Sequence, residues 1–198
     1  WFGTSRELSR LKRKHVTPQE FRIFAPEQLR EDGFLFEEWT ADSRLKWIRG
    51  ENVLTGESWW VPAQLVHLFH FYQRDEARIG VSSSGGLAAH VNRQRAIAHG
   101  ILELIERDAV NLSWYSRVLP QRIEMDVTPC DPQVKKWLDS AWRAGIDVVF
   151  YSHTTDVPDV YIVTAIAIEP DLEQNCYVAG GGAGFTVESA IRAAMAEL

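Results

Sequence analysis

Three features of the sequence predict a chain of alternating strands and helices. Two β-rich runs, 146–151 and 160–168, lie close together, the second almost continuously apolar, as in a strand covered on both faces. Apolar residues at helical spacing mark 93–117 and 131–144. A further strand at 176–179 runs through Gly180-Gly181-Gly182-Ala183-Gly184, read as a glycine loop, into a helix that begins near Val187 with Thr186 as N-cap. A length of 198 residues suffices for one large domain or two small ones with a sizeable core.

Taken in order, residues 5–14 read as a charged helix, ended by the stretch from Pro18 to Pro26. The segments 45–50 and 54–62 carry Trp47, Trp59 and Trp60 with Gly50 and Gly56 between them. They predict two short strands around a turn. Residues 63–71 follow as a short apolar segment. His67 and His70 sit there at the spacing of a metal pair, but without a third ligand and among aromatic neighbours they read as core or interface histidines. The 93–117 helix offers Ile97, Ile101, Leu104 and Ile105 as its apolar stripe. Between Pro120 and Pro129, residues 122–127 predict an edge strand. In 131–144, Val134, Leu138, Ala141 and Trp142 share one side, and Gly145 is the expected stop.

A formal net charge of −6 argues against sequence-independent nucleic-acid binding. The basic run Arg10 to Lys14 reads as a solvated helix end, with contact to an acidic partner as the alternative. Cys130 and Cys176 form no CxxC pair and read as buried structural thiols in a reducing compartment. No apolar run approaches the roughly 18 residues that span a bilayer. No signal-peptide pattern precedes the domain, so a cytoplasmic protein without membrane contact is expected. The chain begins at Trp1 rather than Met and ends at Leu198 within a helical pattern, so it reads as part of a longer protein.

Chemistry is expected on the 93–117 helix. Positions 99, 103, 106 and 110 trace one line, which places His99, Glu103 and Glu106 on one side. Two carboxylates three residues apart repel each other unless a cation lies between them. A glycine-rich loop before a helix turns N–H groups toward an anion. The 180–184 stretch has that form, but neither the Gly-Lys-Ser/Thr of a Walker A loop nor the dinucleotide fingerprint. If the two passages converge, a polyanion near the glycines faces Glu103, Glu106 and Glu197, and Mg²⁺ bridging carboxylate and phosphate would relieve the repulsion. Arg107 would neutralise phosphate or clamp a carboxylate. The competing reading makes Glu103, Glu106 and Arg107 ordinary surface pairs worth about 0.2–0.5 kcal/mol each. Spacing alone favours the surface-pair reading.

The run Gly86-Leu87-Ala88-Ala89, continuing through Ala96-Ile97-Ala98-His99-Gly100-Ile101-Leu102-Glu103-Leu104-Ile105-Glu106-Arg107-Asp108-Ala109, resembles the central signature of YcaO-domain proteins. Trp59-Trp60-Val61-Pro62-Ala63 precedes it at a suitable distance, and 180–184 followed by Glu188-Ser189-Ala190-Ile191 resembles the family's later glycine loop and helix. The likeness covers most of 45–198. It implies an α+β fold, mostly antiparallel sheets packed with helices, with 1–198 part of one YcaO-like ATP-binding domain that is incomplete at both ends. The family's earlier acidic helix would then lie before Trp1 and its proline-rich tail beyond Leu198.

The resemblance also implies a function: a Mg-ATP-dependent cyclodehydratase acting on a ribosomally made precursor peptide, in the biosynthesis of bacteriocin-like azole-containing peptides. A Cys, Ser or Thr side chain attacks the preceding amide carbonyl, ATP phosphorylates the amide oxygen, and loss of phosphate leaves a thiazoline or oxazoline. Thioamide or amidine formation by the same ATP chemistry is one alternative, and a non-catalytic scaffold binding precursor or partner is another. By carry-over Glu103 and Glu106 would ligate Mg²⁺, and Glu103, Glu106, Arg107 and Glu197 would hold the nucleotide. No residue is assigned to the chemical step itself. A leader-peptide-binding or E1-like partner is implied. The chain departs from the family at His90-Val91, where Gly-Asn is common, at Arg95, often Glu, and at Gly85-Gly86, usually Asn-Gly. The changes at His90, Val91 and Arg95 are the sequence evidence for a degenerate copy.

Overall fold

The computed structural model describes residues 1–21, 23–125, 131–169 and 176–198. The chain divides into two compact units, Trp1–Ser84 and Gly85–Leu198. Both are built from antiparallel sheet and helices, so the expected α+β class holds.

In the first unit, β1 (Phe2–Thr4), β2 (Arg44–Glu51) and β3 (Ser58–Pro62) form a three-stranded antiparallel sheet in that order. The expected hairpin is present, with Gly56 at φ +71° in its turn, a conformation glycine adopts at no steric cost. Helix α1 (Ser5–Arg10) is shorter than the sequence suggested. A capping box between Thr4 and Glu7 starts it, and Lys12 at φ +52° leaves the helical region just beyond its end. Leu8, Leu45, Trp47 and Ile79 form the core of this unit. His67 is exposed and so is not a core residue, whereas His70 Nε2 lies 2.9 Å from the buried carboxylate of Glu76. Burial of Glu76 at this pair explains why only one of the two histidines turns inward.

The second unit begins with the long helix α2 (Arg93–Ser116), capped by the Asn92 side chain accepting from the Arg95 N–H. It continues through β4 (Gln121–Ile123), α3 (Pro132–Arg143), β5 (Asp147–His153), β6 (Tyr161–Glu169), β7 (Cys176–Gly184) and α4 (Val187–Glu197). The four strands pair antiparallel in sequence order. Strand β4 is an edge, as expected, although positions 126–127 of the anticipated strand, and Cys130, lie outside the described residues.

Alternation along β6 loads both faces of this sheet. Val163 and Ala165 pack with Phe150 of β5, Val134 of α3, and Ala190, Ile191 and Ala194 of α4. Ile162 packs on the other face with Ala109 of α2, flanked by Leu102, Ile105, Val110 and Ala183. The continuous apolar run of β6 is thus explained by helices on both sides.

Three details differ from expectation. On α3 the inward stripe is Val134, Trp137, Leu138 and Ala141, while Trp142 is 77% exposed. Position 142 lies eight residues past Val134 and has rotated beyond the contact face. On α2, Ile101 and Leu104 are exposed, and the buried face runs through Gly100, Glu106 and Ala109. Cys176 is exposed at the start of β7, so it is not a buried structural thiol.

Candidate nucleotide and metal site

The glycines at 180–184 are strand, not loop: Gly180, Gly181, Gly182 and Gly184 pair along β6 from Ala165 to Tyr161. Their lack of Cβ serves close approach on both faces. A Cβ at Gly180 or Gly182 would collide with the backbone of α4 at Ala190 and Ala194, and one at Gly184 with Ser189. A Cβ at Gly181 would collide with the Glu106 carboxylate instead. The helix that follows starts as expected, with Thr186 and Ser189 in a reciprocal capping box.

Glu106 therefore lies flat against β7 at the position a side chain on residue 181 would take. It is 8% exposed, and no hydrogen bond or ion pair to its carboxylate occurs among the described residues. Burial, then the charge of Glu197, together with that of Glu103, pushes its pKa up to about 7, with Arg107 opposing. Glu197 accepts a hydrogen bond at 3.1 Å from the Gly181 N–H of β7, the last strand of this sheet among the described residues. Sites 106 and 197, 91 residues apart, thus meet around one glycine.

Glu103 lies one turn from Glu106, and its side chain is 25% exposed. Arg107 Nη2 approaches it at 3.5 Å in an i,i+4 pair, with Arg107 mostly in solvent. The surface-pair reading thus describes Glu103 and Arg107, and fails for the buried Glu106. His99, expected beside the two carboxylates, is exposed, and its ring meets His90 edge-on at 5.7 Å. The Asn92 N–H donates to His90 Nδ1 at 2.9 Å, while Val91 projects fully into solvent.

Among the described residues no group of three or more His, Cys, Asp or Glu side chains is arranged to hold a metal by itself. A pair such as Glu103 and Glu106 would still suffice for Mg²⁺, which keeps water and substrate phosphate ligands and needs only one or two carboxylates from the protein. The repulsion that Glu197 and Glu103 exert on the buried Glu106 is what such a cation would relieve.

Residues 1–198 match the family model described as YcaO cyclodehydratase, ATP- and Mg²⁺-binding. The chain belongs to the YcaO family. An uncharacterized protein of Methanothermobacter thermautotrophicus is 33% identical over 160 residues, covering 79% of this chain and 40% of that protein. A YcaO from Methanopyrus kandleri, solved with AMPPCP and Mg²⁺, is 26% identical with a TM-score of 0.64, covering 93% of this chain and 42% of that one. A heterocyclase solved in complex with substrate and cofactor shares the YcaO fold at TM-score 0.80 and 21% identity, covering 100% of this chain and 27% of that one. The chain thus spans less than half the length of these proteins. No helix among the described residues is long and apolar enough to cross a membrane.

Three polar residues of the second unit escaped sequence reasoning: Ser113, His153 and Thr164, which hydrogen bond to one another. They lie 40 and 11 residues apart, so no local spacing signals them.

Proposed function

We propose that this chain carries the carboxylate wall of a Mg-ATP site with which a YcaO cyclodehydratase activates backbone amides of a ribosomally made precursor peptide. Cys, Ser or Thr would become thiazoline or oxazoline, in the cytoplasm and with a leader-binding or E1-like partner. The observation that carries this reading is the buried Glu106, without a hydrogen bond or ion pair among the described residues, in the field of Glu103 and Glu197 and lying against Gly181.

Bound Mg²⁺ would supply charge neutralisation between carboxylates and phosphates. Glu103 and Glu106 are its proposed ligands. Glu197 already spends one oxygen on the Gly181 N–H and would present the other to the same space. Arg107, exposed and adjacent, is placed to turn from Glu103 toward a phosphate. Phosphoryl transfer asks chiefly for such positioning and neutralisation, which suits a site with no nucleophile of its own.

An ATPase assay with Mg²⁺ and a candidate precursor on the full-length protein tests the proposal. Glu103→Gln and Glu106→Gln should each lower turnover at least about 100-fold, the scale of removing one preorganised charge-stabilising group. Nucleotide binding absent from the wild-type protein would instead support the scaffold reading, to which Val91 and Arg95 already lend weight by replacing the family's common Asn and Glu. Mass spectrometry of the product separates the chemistries, because azoline formation removes one water per modified residue and thioamide formation exchanges oxygen for sulfur.

A further inference from the structure

The second unit contains a hydrogen-bonded chain distinct from the carboxylates and yet joined to them by the sheet register. Ser113 Oγ on α2 lies 2.9 Å from His153 Nδ1 at the end of β5, and His153 Nε2 lies 2.8 Å from Thr164 Oγ1 on β6. Thr164 stands directly opposite Gly181 in the β6–β7 ladder. Facing Cβ atoms in such a pair are about 5 Å apart. Residue 181 has no Cβ, and the Glu106 carboxylate fills its place. Glu106 is therefore the neighbour of Thr164 on this face of the sheet. Ser113 lies seven residues beyond Glu106, two turns along the same side of α2. The Ser113–His153–Thr164 chain thus leaves α2, crosses two strands, and returns to the strand position beside the α2 carboxylate.

We propose that Ser113, His153 and Thr164 are positioning residues that fix α2 on the sheet at the register where Glu106 lies over Gly181. The inference rests on the reading of Glu106 as part of the Mg-nucleotide site. The other contacts between α2 and this face are apolar: Leu102, Ile105, Ala109 and Val110 pack with Ile162 and Ala183. Such contacts are non-directional and tolerate a small slide of the helix along its axis. Hydrogen bonds at two ring nitrogens do not, because their strength falls steeply with angle. Burial pushes the His153 pKa down and keeps the ring neutral, so one nitrogen donates and the other accepts, and each hydroxyl has a complementary partner. A misplacement of about 1 Å at a site that works by positioning can cost on the order of 100-fold.

The test is calorimetric titration of the full-length protein with ATP at a series of Mg²⁺ concentrations, with the melting temperature measured for each variant. Thr164→Val keeps shape and removes one hydrogen bond, Ser113→Ala removes the other, and His153→Gln shortens the link. Each should raise the Mg²⁺ midpoint about 5- to 20-fold, scaled down from that 1 Å penalty, while the protein stays folded. The Ser113→Ala/Thr164→Val pair should be no worse than His153→Gln, as expected of groups acting as one unit. Variants with a lower melting temperature but a wild-type Mg²⁺ midpoint would show a purely structural brace and overturn the proposal. Glu106→Gln runs alongside. If it abolishes Mg-ATP binding while the three variants bind like wild type, the positioning role fails and the site reading stands. If Glu106→Gln itself binds like wild type, the site reading fails and takes the positioning role with it.

Discussion

At the scale of single residues the site turns on a glycine and a carboxylate. Gly181→Ala would place a methyl group where the Glu106 carboxylate lies. That carboxylate is the far end of a flexible side chain, so the fold can yield at little cost while the site cannot. Gly181→Ala is expected to change stability by under about 1 kcal/mol, as for substitutions away from backbone clashes. It should also weaken Mg²⁺-dependent nucleotide binding at least tenfold, which titration calorimetry would read. Glu106 itself predicts a pH dependence. In the unfolded chain its carboxyl titrates near the ordinary 4.5, and in the fold near 7, so between these values the native state binds the extra proton. Its contribution to stability is then fully present below the unfolded value and is lost as pH rises through about 7. His153, whose pKa burial lowers, has the opposite sign and loses its contribution as pH falls through the depressed value. Comparing wild type with Glu106→Gln cancels the histidine. The melting temperature of wild type should fall relative to that of the variant between about pH 5 and 8. A constant difference across that range would mean that Glu106 is already ionised in the folded protein. Mg²⁺ competes with the same proton, so its affinity should rise over the same window.

At the scale of elements, the strand and helix alternation of the second unit was legible because each element carries its own signal. Asp131 and Thr186 are N-caps, Gly145 at φ +77° follows α3, and the β6 run is apolar on both faces. The 180–184 stretch was misread because glycine signals a turn locally, whereas here its cause is tertiary: α4 and Glu106 both need the space that side chains would fill. The acid pair Glu103 and Glu106 was visible, but the part played by each was not. Burial of Glu106 depends on how α2 rotates onto the sheet, and the exposed Ile101 and Leu104 show that the apolar residues alone do not set that rotation. Because α4 lies on the glycines through its backbone, Gly182→Ala should be far less tolerated than Gly181→Ala. It would drive a Cβ into the Ala190 carbonyl and the Ala194 N–H, neither of which can move without the helix. The expected cost is about 1–3 kcal/mol, the range for overpacking a well-packed core. Thermal melts of the two alanine variants side by side would check it, and equal melting temperatures would refute the close-packing account of β7.

At the scale of the whole molecule, each core cluster of described residues is drawn from a single unit. Leu8, Leu45, Trp47 and Ile79 belong to Trp1–Ser84, while both clusters on the larger sheet are drawn wholly from Gly85–Leu198. Glu103, Glu106, Arg107, Glu197 and the Ser113–His153–Thr164 chain all belong to the second unit as well. A fragment with two independent cores around a four-stranded sheet covered on both faces has enough buried surface to fold alone, whereas a smaller one with a single small core is marginal. Residues 85–198 expressed alone are therefore expected to unfold in one cooperative transition, and residues 1–84 to melt at a lower temperature or broadly. Glu197 and Glu103, whose charges raise the Glu106 pKa, belong to the second unit, so the fragment is expected to keep that titration near 7. Circular dichroism melts and carboxyl NMR shifts across pH would read both. A fragment that folds cooperatively but titrates Glu106 near 4.5 would mean that its burial depends on residues outside 85–198.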